Sequence, residues 1–599
     1  MTAPTFLGRV GNVAGSTVSV RQSESVASGI SIIGGRSYRV GQVGSFVRIP
    51  QGYHDLYGVI SEVGAEATPG TLVDARQRGE SWMTVQLVGE IVETSFERGI
   101  SQYPGINDEV HLVTEDDLGR IYGLDDMGQI VIGRLAGAES IPVRIDLDKL
   151  VTRHSAVLGS TGSGKSTTVA SLLRSICKSG GRNESPGARI LLLDIHGEYG
   201  DALKSIATVF RINPTEADDR PLHVPYWALD TAQLIEFLLG KVSESAHTGI
   251  LDRIQEAKLA VAPGVAGVDV NALTANTPLP FSLKQLWFDL VDPEYRTWSD
   301  AARTVPALET EGDAEALRMP KYEPAGAGSA LPHQNTVGVF GLRRQLNQMR
   351  SRLLDHQYDF MLHPGEWEPD LKGKPAKELP DLLAGWFGHP KAITVLDLSG
   401  VPSDVLIHLI GGILNITYEA MFWGRSLPEG GRARPSLIVM EEAHRYLGKD
   451  TNNPARDMVQ RIVKEGRKFG VGAMIVSQRP SEIDETILSQ CGSLMALRLS
   501  NSADQSKVKA ALPDSLGGLV DTLPVLRTGE AIIMGEAARL PIRCRINLPP
   551  ENERPNSADP DVAEAWARPR GDEDYERLAA AWRSQNPNWS KPKIQKVKP

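Results

Sequence analysis

The sequence predicts an α/β protein: a small antiparallel β-barrel, then an α/β core that a helical insertion interrupts. Three observations predict it. Gly159-Ser160-Thr161-Gly162-Ser163-Gly164-Lys165-Ser166-Thr167 fits the pattern G-x-x-x-x-G-K-[ST] and stands between a strand-like run and a helix-like run. The apolar run Ser436-Leu-Ile-Val-Met440 ends on two carboxylates, Glu441 and Glu442. Short β-type runs separated by Gly, Pro and Asp clusters fill residues 1–140.

Composition sets the frame. At 599 residues the chain exceeds what one hydrophobic core supports, which predicts two to four domains. Hydrophobic residues make up 41% and charged residues 23%, the balance of a soluble globular protein. The net charge of −10 carries no global signature for nucleic acid, so any such contact needs a local basic patch. Cys177, Cys491 and Cys544 are odd in number and widely spaced, which argues against disulfides or a zinc site. The first residues lack a charged and an apolar region of the signal-peptide kind, and no apolar run reads as a membrane span. The expected location is the cytoplasm, without a membrane anchor.

In residues 1–140 the strand-like runs are Val18-Ser-Val-Arg21, Ser45-Phe-Val-Arg-Ile49, Gly58-Val-Ile-Ser-Glu-Val63, Met83 to Val92, and Glu109-Val-His-Leu-Val113. No catalytic constellation stands among them. The module reads either as an assembly and partner-docking domain or as a plain scaffold cap.

The core is expected over 141–230 and again over 391–548. His154-Ser-Ala-Val-Leu158 is a buried strand that enters the glycine-rich loop, and the run from Thr167 to Ile176 is the helix that leaves it. Glycines let backbone N–H groups turn inward onto phosphate oxygens, and the helix N-terminus adds its positive dipole end. The chemistry is therefore nucleotide binding. Lys165 meets the β- and γ-phosphates and the Ser166 hydroxyl faces Mg²⁺. Pro186-Gly-Ala-Arg-Ile-Leu-Leu-Leu-Asp194 is a second strand, continued by Ile195-His-Gly-Glu-Tyr-Gly200. That continuation is either polar machinery at the ligand-binding edge of the sheet or a loop-capping cluster.

Residues 231–390 read as the helical insertion, between the second and third core strands, with helical spacing at 234–239, 250–259 and 339–354. Arg343, Arg344, Arg350 and Arg352 on the last helix either touch nucleic acid or form a solvated face. The core resumes at Ala392-Ile-Thr-Val-Leu-Asp397. Glu441 and Glu442 then form the Walker B arrangement, the first supporting the metal and the second polarising the attacking water. Val471-Gly-Ala-Met-Ile-Val-Ser-Gln478 is the next strand, and Gln478 is placed to sense the γ-phosphate. Strands follow at 493–499, 530–534 and 541–546. Residues 549–599 read as a polar tail with a short helix at 574–582 and a basic end, 591–599.

The ordered set GSTGSGKST, LLLDIHGEYG, ITVLDLSG, LIVMEEAH, RKFGVGAMIVSQRP and TGEAIIMGEA resembles the HerA branch of the HerA–FtsK superfamily over residues 1–548. The resemblance implies a RecA-like P-loop ATPase core with an N-terminal small β-barrel (HAS-barrel-like) and a helical insertion. It implies ATP and Mg²⁺ as cofactors and a homohexamer around double-stranded DNA, translocating or unwinding it. It also implies a nuclease or sirtuin-type effector partner on the barrel, in DNA end processing or antiphage defence. Glu441 departs from the usual Asp, and the insertion is longer and richer in proline. In this family an inter-subunit arginine stands where Arg153 stands; Arg467, with Lys464 and Lys468, is a second candidate. Both places also read as surface charge or helix-dipole partners. Lys449 and Arg456 are candidates for the DNA channel, with an ordinary solvated loop as the alternative. Two other functions stay open: a scaffold whose ATP site sets the state of a partner enzyme, and an ATPase that pumps DNA or protein through a membrane.

Overall fold

The computed structural model describes residues 5–23, 30–33, 36–39, 41–64, 81–93, 95–122, 128–136, 138–178, 185, 187–212, 214, 218–326, 340–449, 453–510, 520–556, 561–567, 571 and 575–584. The expected basic end at 591–599 lies outside them, as does part of the Pro/Gly-rich stretch before Phe340.

The barrel consists of β1 (Phe6–Ala14), β2 (Thr17–Gln22), β3 (Phe46–Pro50), β4 (His54–Gly64), β5 (Trp82–Val92), β6 (Ser95–Arg98) and β7 (Glu109–Leu112). The order β2-β1-β7-β3-β4-β5 closes on itself because β2 also pairs with β5, and β6 hangs on β5. Every pairing is antiparallel. Val10, Val18, Val20, Ile49, Leu56, Ile60, Met83 and Val110 fill the interior. Closure leaves no unpaired edge along the ring. The strand-like runs read from the sequence begin at Val18 and do not include β1. In the fold, a Cβ on Gly8 would lie 2.0 Å from the Arg21 carbonyl oxygen, so the strand needs glycine there.

The core sheet contains β8 (Gln129–Leu135), β9 (Ala138–Asp146), β10 (Ser155–Leu158), β11 (Arg189–Asp194), β12 (Ala207–Arg211), β13 (Ile393–Asp397), β14 (Ser436–Met440), β15 (Val471–Ser477), β16 (Ser493–Ala496), β17 (Glu530–Gly535) and β18 (Ile542–Ile546). Their order is β9-β8-β18-β17-β16-β10-β15-β14-β11-β13-β12, with Arg220–Pro221 at the far edge. The strands from β16 to β12 and the edge pair Arg220–Pro221 are parallel, and β9, β8, β18 and β17 join antiparallel. The hairpin β8–β9 spans residue 140, so strand pairing divides barrel from core before Gln129. Phe46, Tyr57 and Ile91 of the barrel share one apolar cluster with Ile130, Val143 and Ile145 of the hairpin. The Arg98 guanidinium ties the two parts further, donating to the carbonyls of Gly535, Ala538 and Arg539.

Strand β12 corrects the expected place of the insertion. Ala-Thr-Val-Phe-Arg is a short buried run beside β13, and it makes the insertion follow the third strand counted from β10 rather than the second. The P-loop helix is α1 (Lys165–Cys177). The insertion carries α2 (Thr231–Leu239), α3 (Glu244–Val261), α4 (Leu283–Tyr295), α5 (Arg343–Leu353) and α6 (Leu379–Phe387). Serine and aspartate caps start three of them: Asp230, Ser243 and Ser282 each accept a backbone N–H of the first turn. The arginines of α5 serve packing. Arg343 donates to the Glu294 carbonyl and lies over Tyr295, Arg350 donates to Leu317, and Arg352 lies 4.3 Å over Phe237. Arg343 and Arg344 are exposed, as the solvated face that the sequence offered requires, whereas Arg350 and Arg352 are half-buried.

Helix α7 (Ser403–Trp423) corrects the expectation that no apolar run has the length of a membrane span. It passes by length and composition, but Val405, Leu409, Ile410, Ile413, Leu414 and Tyr418 are buried in the core cluster, against α8 (Pro454–Glu465) among others. The three cysteines are free and buried.

Candidate active site

The glycine-rich loop leaves β10 and turns into α1 through two left-handed residues, Gly162 (φ 72°) and Gly164 (φ 88°). A Cβ on Gly164 would stand 3.1 Å from the Gly529 nitrogen. The carboxyl ends of two other strands, β15 and β16, and the segment that precedes β17 hold the loop. Gly159 N donates to Ser477 O (3.1 Å), and Ser160 donates to Arg498 O from its nitrogen (2.9 Å) and its hydroxyl (2.8 Å). Gly529 N donates to Ser163 O (3.0 Å), Thr528 Oγ1 to Gly162 O (3.2 Å) and the Arg498 guanidinium to Gly162 O (2.9 Å). The loop is therefore shaped before any ligand arrives.

The sheet order puts β14 one strand away from β10, and its two acids meet the loop. Lys165 Nζ lies 2.5 Å from Glu442 Oε1 and 3.5 Å from Glu441 Oε1. All three side chains are at most 5% exposed. Gln478 donates to the same Glu442 oxygen and accepts from Thr161 Oγ1 at 2.6 Å, which links loop, acid and strand β15 in one chain. His444 Nδ1 stands 3.2 Å from Glu442 Oε2 and 3.2 Å from Ser477 Oγ. Burial alone would raise both carboxyls. Glu441 is raised well above the usual range by burial, with Glu442 and Asp194 adding to it. Glu442 goes down instead, because His444, Lys165 and Gln478 all favour its anion. Glu442 takes a left-handed backbone (φ 45°, ψ 44°), a conformation that costs a non-glycine residue about 1 kcal/mol and brings its carboxylate toward Lys165.

The structure thus brings together Thr161, Lys165, Glu441, Glu442 and Gln478, with Ser166 in the first turn of α1. It places Arg153 and Arg467 elsewhere, before β10 and before β15, at the opposite ends of the strands. Arg153 pairs with Glu536 at 3.4 Å, and Arg467 is exposed. Lys449 is exposed, whereas Arg456 is turned onto Asp457 at 2.8 Å in the first turn of α8. Residues 450–452 of that loop lie outside the described residues. Arg498, Thr528 and His444 escaped the sequence reading. Arg498 sits in Ala-Leu-Arg-Leu, a strand end like many others; only the adjacency of β16 and β10 sets it on the loop. His444 could have been found from its spacing, two residues after Glu442.

The residues fit a magnesium nucleotide. Ser163 Oγ and Glu441 Oε2 are buried with no hydrogen-bond partner, the Lys165 ammonium has only carboxylates to face, and the N-terminus of α1 points at the loop. A parallel sheet with a P-loop, its lysine and a strand-end acid pair at one edge defines a P-loop ATPase.

Residues 130–416 match the family described as "Helicase HerA, central domain", and residues 420–538 match "Helicase HerA-like C-terminal". The chain belongs to the HerA helicase family and is an ATP hydrolase. It is 27% identical to the DNA double-strand break repair helicase HerA of Sulfolobus acidocaldarius, over 79% of each chain. It is 28% identical to the protein of the same name from Pyrococcus furiosus, over 77% of each. Among solved structures, VirB4 of Thermoanaerobacter pseudethanolicus aligns over 72% of this chain and 100% of its own, with a TM-score of 0.45 and 15% identity.

Proposed function

We propose that this ATPase is a motor that translocates along or unwinds double-stranded DNA as a cytoplasmic homohexameric ring, coupled to a nuclease or sirtuin-type effector in DNA end processing or antiphage defence. One observation carries the reading: relatives covered to 79% and 77% of their length bear the name of a DNA double-strand break repair helicase, and this chain keeps a complete hydrolytic set in one buried cluster. Ser166 and Glu441 would hold Mg²⁺, which neutralises charge on the phosphates when bound. Lys165 binds phosphate; its departure from Glu442 toward the incoming γ-phosphate frees that carboxylate to take a proton from water. Gln478, already bonded to Glu442 and Thr161, reports the phosphate to β15.

Arg153 and Arg467 lie at the far ends of the strands, so within one chain they do not serve the Lys165 site. In a head-to-tail ring they face the next subunit's site, where an arginine stabilises the transferring phosphoryl group. The test is a mixing series after confirmed subunit exchange. Arg153→Ala or Arg467→Ala mixed with Lys165→Ala regains ATPase activity at junctions that pair an intact loop with an intact arginine. No recovery at any ratio, for either arginine, refutes the shared site. For DNA, the ATPase rate rises with duplex of any sequence, and the binding falls steeply with salt. A rate indifferent to duplex would favour the scaffold reading.

A further inference from the structure

The loop after β11, Ile195-His-Gly-Glu-Tyr199, is built more tightly than a strand connection needs. Asp194 is fully buried and accepts four backbone N–H groups. His196, Gly197 and Glu198 donate to Oδ1 at 3.3, 2.8 and 3.2 Å, and Tyr199 donates to Oδ2 at 2.9 Å. Gly197 is left-handed (φ 71°), and a Cβ there would stand 3.1 Å from Ser399 Oγ and 3.2 Å from both Asp397 oxygens. Asp194 thus does the loop capping that the sequence offered as one reading.

The same capping leaves two side chains over for something else. β11 pairs with β14, and Glu441 N donates to Leu193 O at 3.3 Å, so the loop lies beside the Walker B acids. The Tyr199 side chain is wholly buried, and its hydroxyl faces the Ser166 hydroxyl without a close hydrogen bond to it. Glu198 Oε2 and Glu441 Oε2 are also buried without a partner, and the two carboxylates lie close enough for Glu198 to disfavour the Glu441 anion. Buried oxygens left unpaired are costly, and three at the ends of two paired strands call for a ligand. Two of the three belong to acids, so the ligand is cationic. The third is a phenol, a good partner for water and a poor direct ligand for a hard cation. Magnesium keeps several waters when bound.

We propose that Glu198 and Tyr199 hold the water shell of the divalent cation that Ser166 and Glu441 bind with the nucleotide, making the loop after β11 the outer half of the cation site. Both are positioning residues: they act through the waters. The inference rests on the magnesium–nucleotide reading of Ser166 and Glu441.

The test is calorimetric ADP binding by the full chain, first with the cation chelated and then across a MgCl₂ series, for wild type, Glu441→Gln, Glu198→Gln and Tyr199→Phe. Without the cation, Glu198→Gln and Tyr199→Phe bind ADP like wild type. With it, each needs at least about tenfold more Mg²⁺ for half its effect, the range for residues that orient a metal's ligands. The Mn²⁺–ADP complex of each variant also gives an altered electron paramagnetic resonance spectrum. Tyr199→Phe removes one oxygen and no volume, so it decides the matter if Glu198→Gln is unstable. A wild-type Mg²⁺ dependence in both variants overturns the inference while Glu441→Gln still shifts. ADP binding indifferent to Mg²⁺ in wild type overturns the underlying cation site instead.

Discussion

The two ends of the seven parallel strands differ in how they hold charge. At the carboxyl end, buried Lys165 lies within 3.5 Å of both buried acids, Glu441 and Glu442, and Asp194 is sealed beside them. At the amino end, Arg153 is 38% exposed and meets one partner, Glu536, which is itself 44% exposed, and Arg467 lies open. Helix polarity explains both. Helix α1 begins at the carboxyl end, so its positive pole faces an anion site. Helices end at the amino edge. Arg153 is the C-cap of the helix Leu147–Thr152, and Arg467 follows Gly466, the C-cap of α8. One rule of α/β topology therefore gathers the phosphate site at one edge and cations at the other. Position alone does not make these arginines chemical; a neighbouring subunit's phosphates would.

Mutations can break this contrast. Lys165→Ala should have the largest effect, abolishing nucleotide binding and hydrolysis in a binding titration and a turnover assay. Glu442→Gln should still bind ATP but hydrolyse it about 10²–10⁴-fold more slowly, the usual worth of a general base. Near wild-type turnover would move the base to another acid. At the opposite edge, Arg153→Ala and Arg467→Ala should bind ATP normally and lose up to about 10³-fold in rate if they act on a neighbour. If they are only dipole partners, the sole change is a stability loss of about 0.3–1 kcal/mol in a denaturant curve.

Smaller effects sharpen the comparison away from the sheet. Tyr53 and Tyr103 are exposed on two turns that the Gln51–Asp108 hydrogen bond joins at one end of the barrel. If the barrel docks the proposed effector, Tyr53→Asp with Tyr103→Asp should abolish its co-purification and leave basal ATPase activity within about twofold, since neither residue touches the core. Arg343→Ala should cost about 1 kcal/mol of stability, from its bond to Glu294 and its place over Tyr295, without changing DNA stimulation. A loss of DNA stimulation would return α5 to the list of nucleic-acid contacts.

The sequence by itself determined the parts of this protein that are contiguous. The loop from Gly159 to Thr167, the acids at the end of β14 and the Gln478 strand were legible because each function there rests on neighbouring residues in a fixed local conformation. Most barrel strands were legible for the same reason, their alternation being a local property. Tertiary structure alone decided what joins distant segments. Arg498 reaches Gly162 across 336 positions, Thr528 reaches it across 366, and Lys165 meets Glu442 across 277. It also decided that the hairpin β8–β9 belongs to the core sheet, that β12 precedes the insertion, and that Arg343, Arg350 and Arg352 are packing groups. Those outcomes follow from strand order and from which faces meet. A run of side chains fixes its own strand or helix, but its neighbours are chosen by the burial of the whole chain.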